Sequence, residues 1–214
     1  MKIEYLGHAC FAFTNAQGVK IVTDPYTGVG YELPKDLRAD ILTVSHSHFD
    51  HNYTAGVKGV QAIFDTPKTE NALGVTITGI ASYHDEEQGA LRGNNIVFII
   101  QTDGLRICHL GDLGERYSLS LAQKIGEVDI LLVPVGGRYT IDGAQAKEFV
   151  EKLAPKLAIP MHYRPHDGTI DITDASHFLN GYSEVVYPPK KSEITVKKSD
   201  LKVGKTQIIY MERE

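Results

Sequence analysis

Apolar residues that alternate with polar ones, or that run without interruption, predict β-strands over much of the first half of the chain. Near the N-terminus, strands are predicted over 2–6, 9–13 and 19–23, with a turn at 15–18. The segment 39–45 has the pattern of a buried strand. Further strands are predicted over 60–64, 75–80, 95–102, 105–110, 129–135 and 157–161. Asp103-Gly104 is a strong hairpin signal between two of these strands.

Helical periodicity is found in the second half of the chain. Residues 142–153 place several apolar side chains on one face, Asp142 with Gln145 resembles a capping box, and Pro155 closes the segment. Shorter helices are predicted over 118–125 and 173–180. This order of elements, without an internal repeat or a linker, predicts one domain over 1–214 in which two packed sheets are faced by helices.

Composition and charge narrow the class of protein. With 214 residues, of which 42% are hydrophobic, the chain can bury a large core without disulfides. Its two cysteines, Cys10 and Cys108, have apolar neighbours and are expected to be reduced core thiols. A net charge of −5 without a long basic run disfavours nucleic acid as a partner. Met1-Lys2 leads directly into a strand and no stretch reaches the length of a membrane span, so we expect a cytoplasmic protein without a membrane partner.

The densest group of candidate ligands is the segment His46-Ser47-His48-Phe49-Asp50-His51. It follows a buried strand directly and contains three of the nine histidines of the chain. Imidazole nitrogens and carboxylate oxygens suit Zn²⁺ and its first-row neighbours, and the alternate spacing of His46 and His48 projects both to one side of an extended loop. The segment therefore predicts a metal site.

Three more candidate ligands lie just after predicted strands, in the same position as the 46–51 segment. They are His84, Asp112 and His162. A single histidine at a strand end is more often a structural residue than a ligand. Three such positions together with the first segment favour one shared site at an edge of the sheets.

These residues resemble the motifs of the metallo-β-lactamase superfamily, in the same order and over nearly the entire chain. His46 to His51 matches the HxHxDH signature, and Asp24, His84, Asp112 and His162 resemble the other motif positions. Segments such as Gly7-His8-Ala9 and His109-Leu110-Gly111-Asp112 are similar to the small branch that includes ascorbate-6-phosphate lactonase-like proteins. The resemblance implies an α/β (α+β) fold, a four-layer αββα sandwich of two mixed β-sheets flanked by helices.

The resemblance also implies a dinuclear metal centre. One ion would be bound by His46, His48 and His84, the other by Asp50, His51 and His162, and Asp112 would lie between them. Zn²⁺ is expected, with Mn²⁺ or Fe²⁺ as alternatives for a site of this composition. Such a centre supplies hydroxide at neutral pH for hydrolysis, and Asp50 could exchange a proton with the nucleophile or the leaving group.

The remaining candidate residues are predicted to support the ligands or to contact the substrate. Asp24 is interpreted as a carboxylate that holds the outer N–H of a ligand histidine. His8 and His109 compete with His84 for the role of ligand, and we favour support or substrate contact for both. Asp50 and His109 are the predicted catalytic residues. Arg138 and Tyr163 are candidates for contact with an anionic group of the substrate.

The predicted function is hydrolysis of a small ester, lactone or phosphoester. In some of these cases the substrate would be an anionic small molecule. One alternative is a nuclease-like phosphodiesterase, although the acidic net charge disfavours it. A second is a redox-active diiron protein, in which the second histidine of the signature would be Glu, whereas this chain has His48. A third is a non-catalytic metal-dependent binding or regulatory protein. The sequence leaves open whether the chain forms a homo-oligomer.

Overall fold

The computed structural model describes residues 1–202 and 204–214. The strands that the hydrophobic pattern predicts are all confirmed, with bounds that differ by a few residues. In chain order, the described strands are β1 Lys2–Gly7, β2 Cys10–Thr14, β3 Lys20–Thr23, β4 Ile41–Thr43, β5 Ala62–Phe64, β6 Thr69–Ala72, β7 Val75–Tyr83, β8 Asn94–Thr102, β9 Leu105–His109, β10 Ile130–Pro134, β11 Leu157–Met161, β12 Val185–Val186, β13 Glu193–Thr195 and β14 Gln207–Ile209.

Three α-helices are described, all after β9. They are α1 Leu119–Ile125, α2 Gly143–Leu153 and α3 Ser176–Leu179. Asp142 begins α2 with both hydrogen bonds of the predicted capping box, and Ser118 caps α1 by accepting the backbone N–H of Leu121. The third helix is a single turn, shorter than the 173–180 segment predicted from sequence, because the residues before Ser176 are not helical.

The strands form two mixed sheets. The six-stranded sheet has the order β13-β1-β2-β3-β4-β5, and the eight-stranded sheet has the order β12-β14-β11-β10-β9-β8-β7-β6. β1 to β3 are antiparallel, whereas β3, β4 and β5 are parallel. In the larger sheet, β9 to β11 are parallel, and β6 to β9 form an antiparallel meander. The predicted sandwich of two mixed sheets is therefore confirmed.

The alternation of side chains along the six-stranded sheet separates two apolar layers. In β2, Phe11 and Phe13 face the core between the sheets, while Cys10 and Ala12 belong to a second cluster on the opposite face. That outer cluster is completed by residues from the irregular segment after β3, including Tyr26 and Leu33. This outer layer is thus formed by loop residues, whereas α1 and α2 contact β7 and β10 of the larger sheet.

Four strands are not visible in the hydrophobic pattern. β6, β12, β13 and β14 have at most four residues each, and most of their positions are half-buried or exposed. Their strand conformation depends on pairing with longer neighbours, such as β13 on β1 and β14 on β11. The segment that follows α3 consequently contributes an edge or near-edge strand to both sheets.

Strand direction explains where the candidate ligands meet. In the six-stranded sheet, the pairings make β1, β3 and β4 run in one direction. In the eight-stranded sheet they do the same for β7, β9, β10 and β11. The candidate ligands follow the C-terminal ends of these strands, so they lie at one edge of the sandwich.

Both cysteines are buried and unpaired, as predicted. Among the described residues, no helix combines the length and apolar content that crossing a bilayer requires.

Candidate metal centre

The segment after β4 contributes the first group of donor atoms. His46 Nε2 lies 3.1 Å from His48 Nδ1. His84, at the end of β7, completes a set of three imidazoles whose donor atoms all lie within 4.8 Å of one another. His48 is exposed, His46 is partly buried and His84 is buried. This group therefore lies at the surface of the cluster, where solvent and small molecules can reach it.

A second group lies deeper. It consists of His8, Asp50, His51 and His162, whose donor atoms are again within 4.8 Å of one another. The three imidazoles are at most 1% exposed. Asp50 Oδ2 lies 3.1 Å from His8 Nε2 and 3.8 Å from His51 Nε2.

Asp112 lies between the two groups. Its Oδ1 is 3.1 Å from His51 Nε2, and its Oδ2 is 3.2 Å from His162 Nε2 and 3.3 Å from His84 Nε2. His46 Nε2 is 3.9 Å from the same Oδ2 atom. One buried carboxylate thus faces imidazoles from both groups.

The cluster contains buried polar atoms that have no hydrogen-bond partner among the residues that the structure describes. These are His51 Nε2, His84 Nδ1, Asp112 Oδ1 and both ring nitrogens of His162. A buried polar atom without a partner costs about 1–3 kcal/mol. Folded proteins therefore normally provide a partner for such an atom, either from the chain or from a bound group. Neutral imidazole nitrogens and carboxylate oxygens converging in this way are the donor set that a divalent cation of the zinc type prefers. The residues fit such an ion.

Asp24 supports the cluster from behind. It is fully buried after β3, its Oδ2 lies 2.9 Å from His51 Nδ1, and its carboxylate accepts the backbone N–H and the hydroxyl of Ser45. Burial tends to raise the pKa of Asp24, but the hydrogen bond from His51 prevails and lowers the pKa. The carboxylate therefore fixes His51 with Nδ1 protonated, leaving Nε2 free to face Asp112. The interpretation of Asp24 as support for a ligand histidine stays a prediction, because it requires His51 to bind a metal.

Asn95 holds Asp112 in place, and sequence analysis missed it. Its Oδ1 accepts the backbone N–H of Asp112 at 2.9 Å, and its amide group donates to Ser82 Oγ and to the Leu110 carbonyl. The available signal was weak: a buried asparagine at the start of an apolar strand.

Backbone conformation marks the same edge. His8, Asp24 and His162 have φ of 54°, 40° and 51°, in the left-handed region that residues other than glycine rarely adopt. Strained residues of this kind concentrate at functional sites because the surrounding structure must hold them. Gly114 has a different role, since a Cβ there would overlap the His84 backbone.

Asp85 organises the loop that follows His84, and sequence analysis also missed this residue. Its side chain is buried, Oδ1 accepts the backbone N–H groups of Glu87 and Gly89, and Oδ2 accepts those of Leu91 and Arg92. Four charge-assisted hydrogen bonds on one carboxylate fix the loop between β7 and β8.

We expect Asp85→Asn to loosen this loop, because an amide can accept at only one of the two former oxygen positions and its NH₂ group would face two N–H donors. Hydrogen exchange of the 87–92 amides should accelerate, and zinc affinity should fall about tenfold, as for other residues that support ligands. Asp103→Asn is the matched control, since that partly exposed carboxylate also accepts a backbone N–H but lies in the β8–β9 hairpin. Unchanged exchange at 87–92 would contradict the prediction.

Burial favours the neutral form of four histidines in or beside the cluster in the metal-free protein. It lowers the pKa of His8 to about 4 and that of His46 to about 3, and it lowers the pKa values of His84 and His109. His51 is the exception: burial opposes its charge, but Asp112 and Asp24 prevail and raise its pKa well above the ordinary value.

These shifts predict how the metal-free protein responds to acid. When folding lowers the pKa of a histidine, the unfolded state takes up a proton at a higher pH than the folded state does. The stability of the folded state therefore falls as pH decreases from about 6.5 toward 4. His51 acts in the opposite direction, but the residues with lowered pKa outnumber it. Urea unfolding of the chelator-treated protein at pH 7.5, 6 and 5 should therefore show midpoints that decrease with pH. A midpoint that is constant or rises on acidification would contradict this balance.

Three predicted residues are not brought into the donor groups. His109 is buried, its Nε2 lies 2.8 Å from the Ala9 carbonyl oxygen, and its Nδ1 accepts the Gly111 N–H, so both ring nitrogens contact backbone. Tyr163 is buried and its hydroxyl donates to the Met211 carbonyl. Arg138 is exposed and forms an ion pair with Asp171. The catalytic role predicted for His109 and the substrate contacts predicted for the other two stay predictions.

A cavity of about 610 Å³ adjoins the surface donor group. Its lining includes His46 and His48 together with the cationic Arg92 and Lys124 and the hydroxyl of Ser118. A larger cavity of about 800 Å³ lies near Tyr163 and the C-terminus, but none of the donor residues lines it. Proximity to the donor atoms makes the smaller cavity the better candidate for substrate binding.

Comparisons with known proteins show the family to which this chain belongs. The family model described as the β-lactamase superfamily domain matches residues 2–162, which include every donor residue described above. The chain belongs to this superfamily. Among curated relatives, a UPF0173 metal-dependent hydrolase of Carboxydothermus hydrogenoformans is 32% identical over 192 residues, covering 76% of this chain and 84% of the relative. A UPF0173 protein of Pyrococcus furiosus is 31% identical over 198 residues, covering 83% of this chain and 89% of the relative.

A solved structure extends the superfamily match to almost the whole chain. It is a Thermotoga maritima protein assigned as a Zn-dependent hydrolase of the metallo-β-lactamase superfamily, 34% identical to this chain, with a TM-score of 0.78 and coverage of 98% of this chain and 99% of the other. The predictions of the superfamily, its fold and a metal-dependent hydrolase are confirmed at this level.

Proposed function

We propose that this member of the superfamily uses two divalent ions, Zn²⁺ in the first instance, to hydrolyse a small ester, lactone or phosphoester. His46, His48 and His84 would hold one ion, and Asp50, His51 and His162 would hold the other. Asp112 would contact both. The observation that carries the proposal is the position of Asp112, a single buried carboxylate within 3.3 Å of imidazoles from both donor groups.

A divalent ion bound there supplies Lewis acidity and lowers the pKa of coordinated water to about 7. The residues of the chain do the rest. Asp24 and Asn95 hold His51 and Asp112 in position through buried hydrogen bonds. Asp50 is the partly exposed carboxylate of the cluster, with a 13% exposed side chain, and it is suited to exchange a proton at the leaving-group oxygen.

The substrate is proposed to enter through the cavity beside His46 and His48. Arg92 and Lys124 in its lining favour a substrate that carries an anionic group, since Arg presents a planar fork of donors to phosphate or carboxylate. Phe49 and Leu91 are large apolar residues with 57% and 69% exposure, on the loops that carry His48 and follow His84.

The nuclease-like alternative is less well supported. An extended polyanion requires a continuous basic surface, whereas the cavity lining contains Asp65 and Glu115 as well as its two cations, and the chain has a net charge of −5. A purely binding or regulatory role would not require a carboxylate placed between two donor groups.

The test combines metal analysis with a substrate panel. The purified protein is expected to bind two equivalents of Zn²⁺ and to hydrolyse at least one member of a panel of lactones, carboxylic esters, thioesters, phosphomonoesters and phosphodiesters. His48→Ala removes a donor from an exposed position and serves as the blank. His166→Ala, on a 94% exposed side chain outside the donor groups, is the matched control that should retain activity.

The outcomes separate the alternatives. Activity confined to lactones or monoesters and lost in His48→Ala supports the proposal. Preference for oligonucleotide phosphodiesters would favour the nuclease alternative. Tight metal binding with equal, background rates for wild type and His48→Ala on every class would favour the binding role.

A further inference from the structure

The deeper donor group contains one imidazole more than the proposed ion pair uses. His8 lies directly after β1, on the glycine-histidine step Gly7-His8, and its side chain is buried. Its ring centroid is 4.2 Å from that of His162 and 4.9 Å from that of His51. His8 therefore packs against two proposed ligands of the same ion.

The position of His8 is rigidly determined. Its carbonyl accepts the backbone N–H of His162 at 2.8 Å and the hydroxyl of Tyr5 at 3.0 Å. Its backbone has a φ of 54°, which turns the chain sharply at the end of β1. The residue before it must be glycine, because a Cβ at Gly7 would press on Tyr31. This local structure directs the imidazole toward Asp50.

The spacing of the donor atoms matches a shared ion. Neighbouring ligands of one zinc ion lie about 3–3.5 Å apart, given metal–ligand distances near 2.0–2.1 Å. His8 Nε2 lies 3.1 Å from Asp50 Oδ2, and both belong to a set with His51 and His162 in which the donor atoms are all within 4.8 Å of one another. The same 3.1 Å separation also suits a hydrogen bond from imidazole to carboxylate, so a test must separate the two roles.

We infer that His8 is a further protein ligand of the deeper ion, beside Asp50, His51, His162 and the shared Asp112, so that this ion has one protein donor more than the ion held by His46, His48, His84 and Asp112. Catalytic zinc sites keep a position for water or substrate and can expand to five-coordinate, which the ion with fewer protein donors can do more easily. The burial of the two groups follows the same division, because His8, His51 and His162 are buried and His48 is exposed. This inference rests on the proposed ion pair.

Two substitutions separate a ligand from a residue that only holds Asp50. His8→Gly removes the side chain at a backbone position that glycine adopts without strain. His8→Gln keeps an amide N–H donor at about the place of Nε2 but loses the imidazole. Glutamine tolerates this backbone, since Gln88 has the same φ of 54° in this protein. His166→Gln, at the 94% exposed histidine, is the matched control for the chemical change.

The measurements are zinc affinity by competition with a chromogenic chelator and the visible spectrum of the Co²⁺-loaded protein. We expect wild type and His166→Gln to bind one ion much more tightly than the other, with the weaker absorption of five-coordinate Co²⁺ for the tighter one. In His8→Gly and His8→Gln alike, the tighter affinity should fall by about a hundredfold or more, and the absorption of that Co²⁺ should strengthen as it becomes four-coordinate. Wild-type affinity and spectrum in His8→Gln would overturn the inference and leave His8 as a hydrogen-bond partner of Asp50.

A measurement on the wild-type chain covers the case in which both variants fail to fold. In cadmium-loaded, isotope-labelled protein, a scalar coupling between a bound cadmium nucleus and the His8 ring nitrogen is expected, and its absence alongside couplings to His51 and His162 would overturn the inference. Failure of wild type to bind two ions would instead contradict the proposed function.

Discussion

Asp112→Ala is expected to reduce kcat/KM for the substrate identified in the panel by about three orders of magnitude, corresponding to about 4 kcal/mol of transition-state stabilisation. Asp112 is 2% exposed and faces imidazoles from both donor groups. Without its carboxylate, the two positions lose their shared negative donor and four neighbouring imidazoles lose their anionic partner.

Electrostatics supports the size of this effect. Burial alone would raise the pKa of Asp112, but the neighbouring His162 and His51 prevail and hold the pKa well below its ordinary value. The carboxylate is therefore ionised at every pH at which the enzyme is expected to work, and it can act as a metal donor without first losing a proton.

Kinetics and metal content measured together test the prediction. Asp112→Ala should bind fewer than two equivalents of Zn²⁺ at concentrations that saturate wild type. Asp36→Asn changes an exposed carboxylate that pairs with Lys58 and belongs to neither donor group. This variant should match wild type in both measurements. Retention of more than a tenth of wild-type kcat/KM by Asp112→Ala would contradict the bridging role.

Asp24→Ala is expected to lower the free energy of unfolding by about 3–5 kcal/mol and to weaken zinc binding by about 10- to 100-fold. The substitution leaves the Ser45 backbone N–H, the Ser45 hydroxyl and His51 Nδ1 buried without their common partner. It also places alanine at a φ of 40°, which asparagine and aspartate tolerate better than alanine.

A matched variant separates stability from metal binding. Asp129 is another buried carboxylate, paired with Lys156 and Lys198 and with the Arg106 backbone N–H, and it lies outside the donor groups. Asp129→Ala should lower stability in urea unfolding without changing zinc affinity in chelator competition. Equal zinc affinities for wild type and Asp24→Ala would show that Asp24 does not fix His51 for metal binding.

The agreement between sequence and fold is closest where burial is strongest. β8, β10 and β11 are continuous apolar runs whose residues are mostly buried, so their period and length were sufficient to predict them. The capping box of α2 was visible because Asp142 and Gln145 interact locally. β6, β12, β13 and β14 were missed because their conformation comes from pairing with strands that are distant in sequence or longer than they are.

The candidate site shows the same division. The density of histidines at 46–51 and the superfamily motifs predicted donor residues that the fold brings close together. Their role as ligands, and the role of Asp24 behind one of them, stay predictions. The roles of Asn95 and Asp85 could not be predicted, because each depends on which backbone N–H groups the fold brings to its side chain. Similarly, His109 has the same residue type as the donors, but the fold directs both of its nitrogens to backbone atoms.

The sequence by itself determined the superfamily, the two-sheet architecture and the list of candidate metal donors, because strand periodicity and a dense ligand motif are local properties of the chain. Only the tertiary structure decided that His8 joins the deeper donor group, that Asp112 lies between the two groups, and which carboxylates hold the ligands in place. Those relations are set by the direction and pairing of β1, β3, β4, β7, β9 and β11, whose C-terminal ends meet at one edge of the sandwich. His8 and His162 meet there although they are 154 positions apart in the sequence.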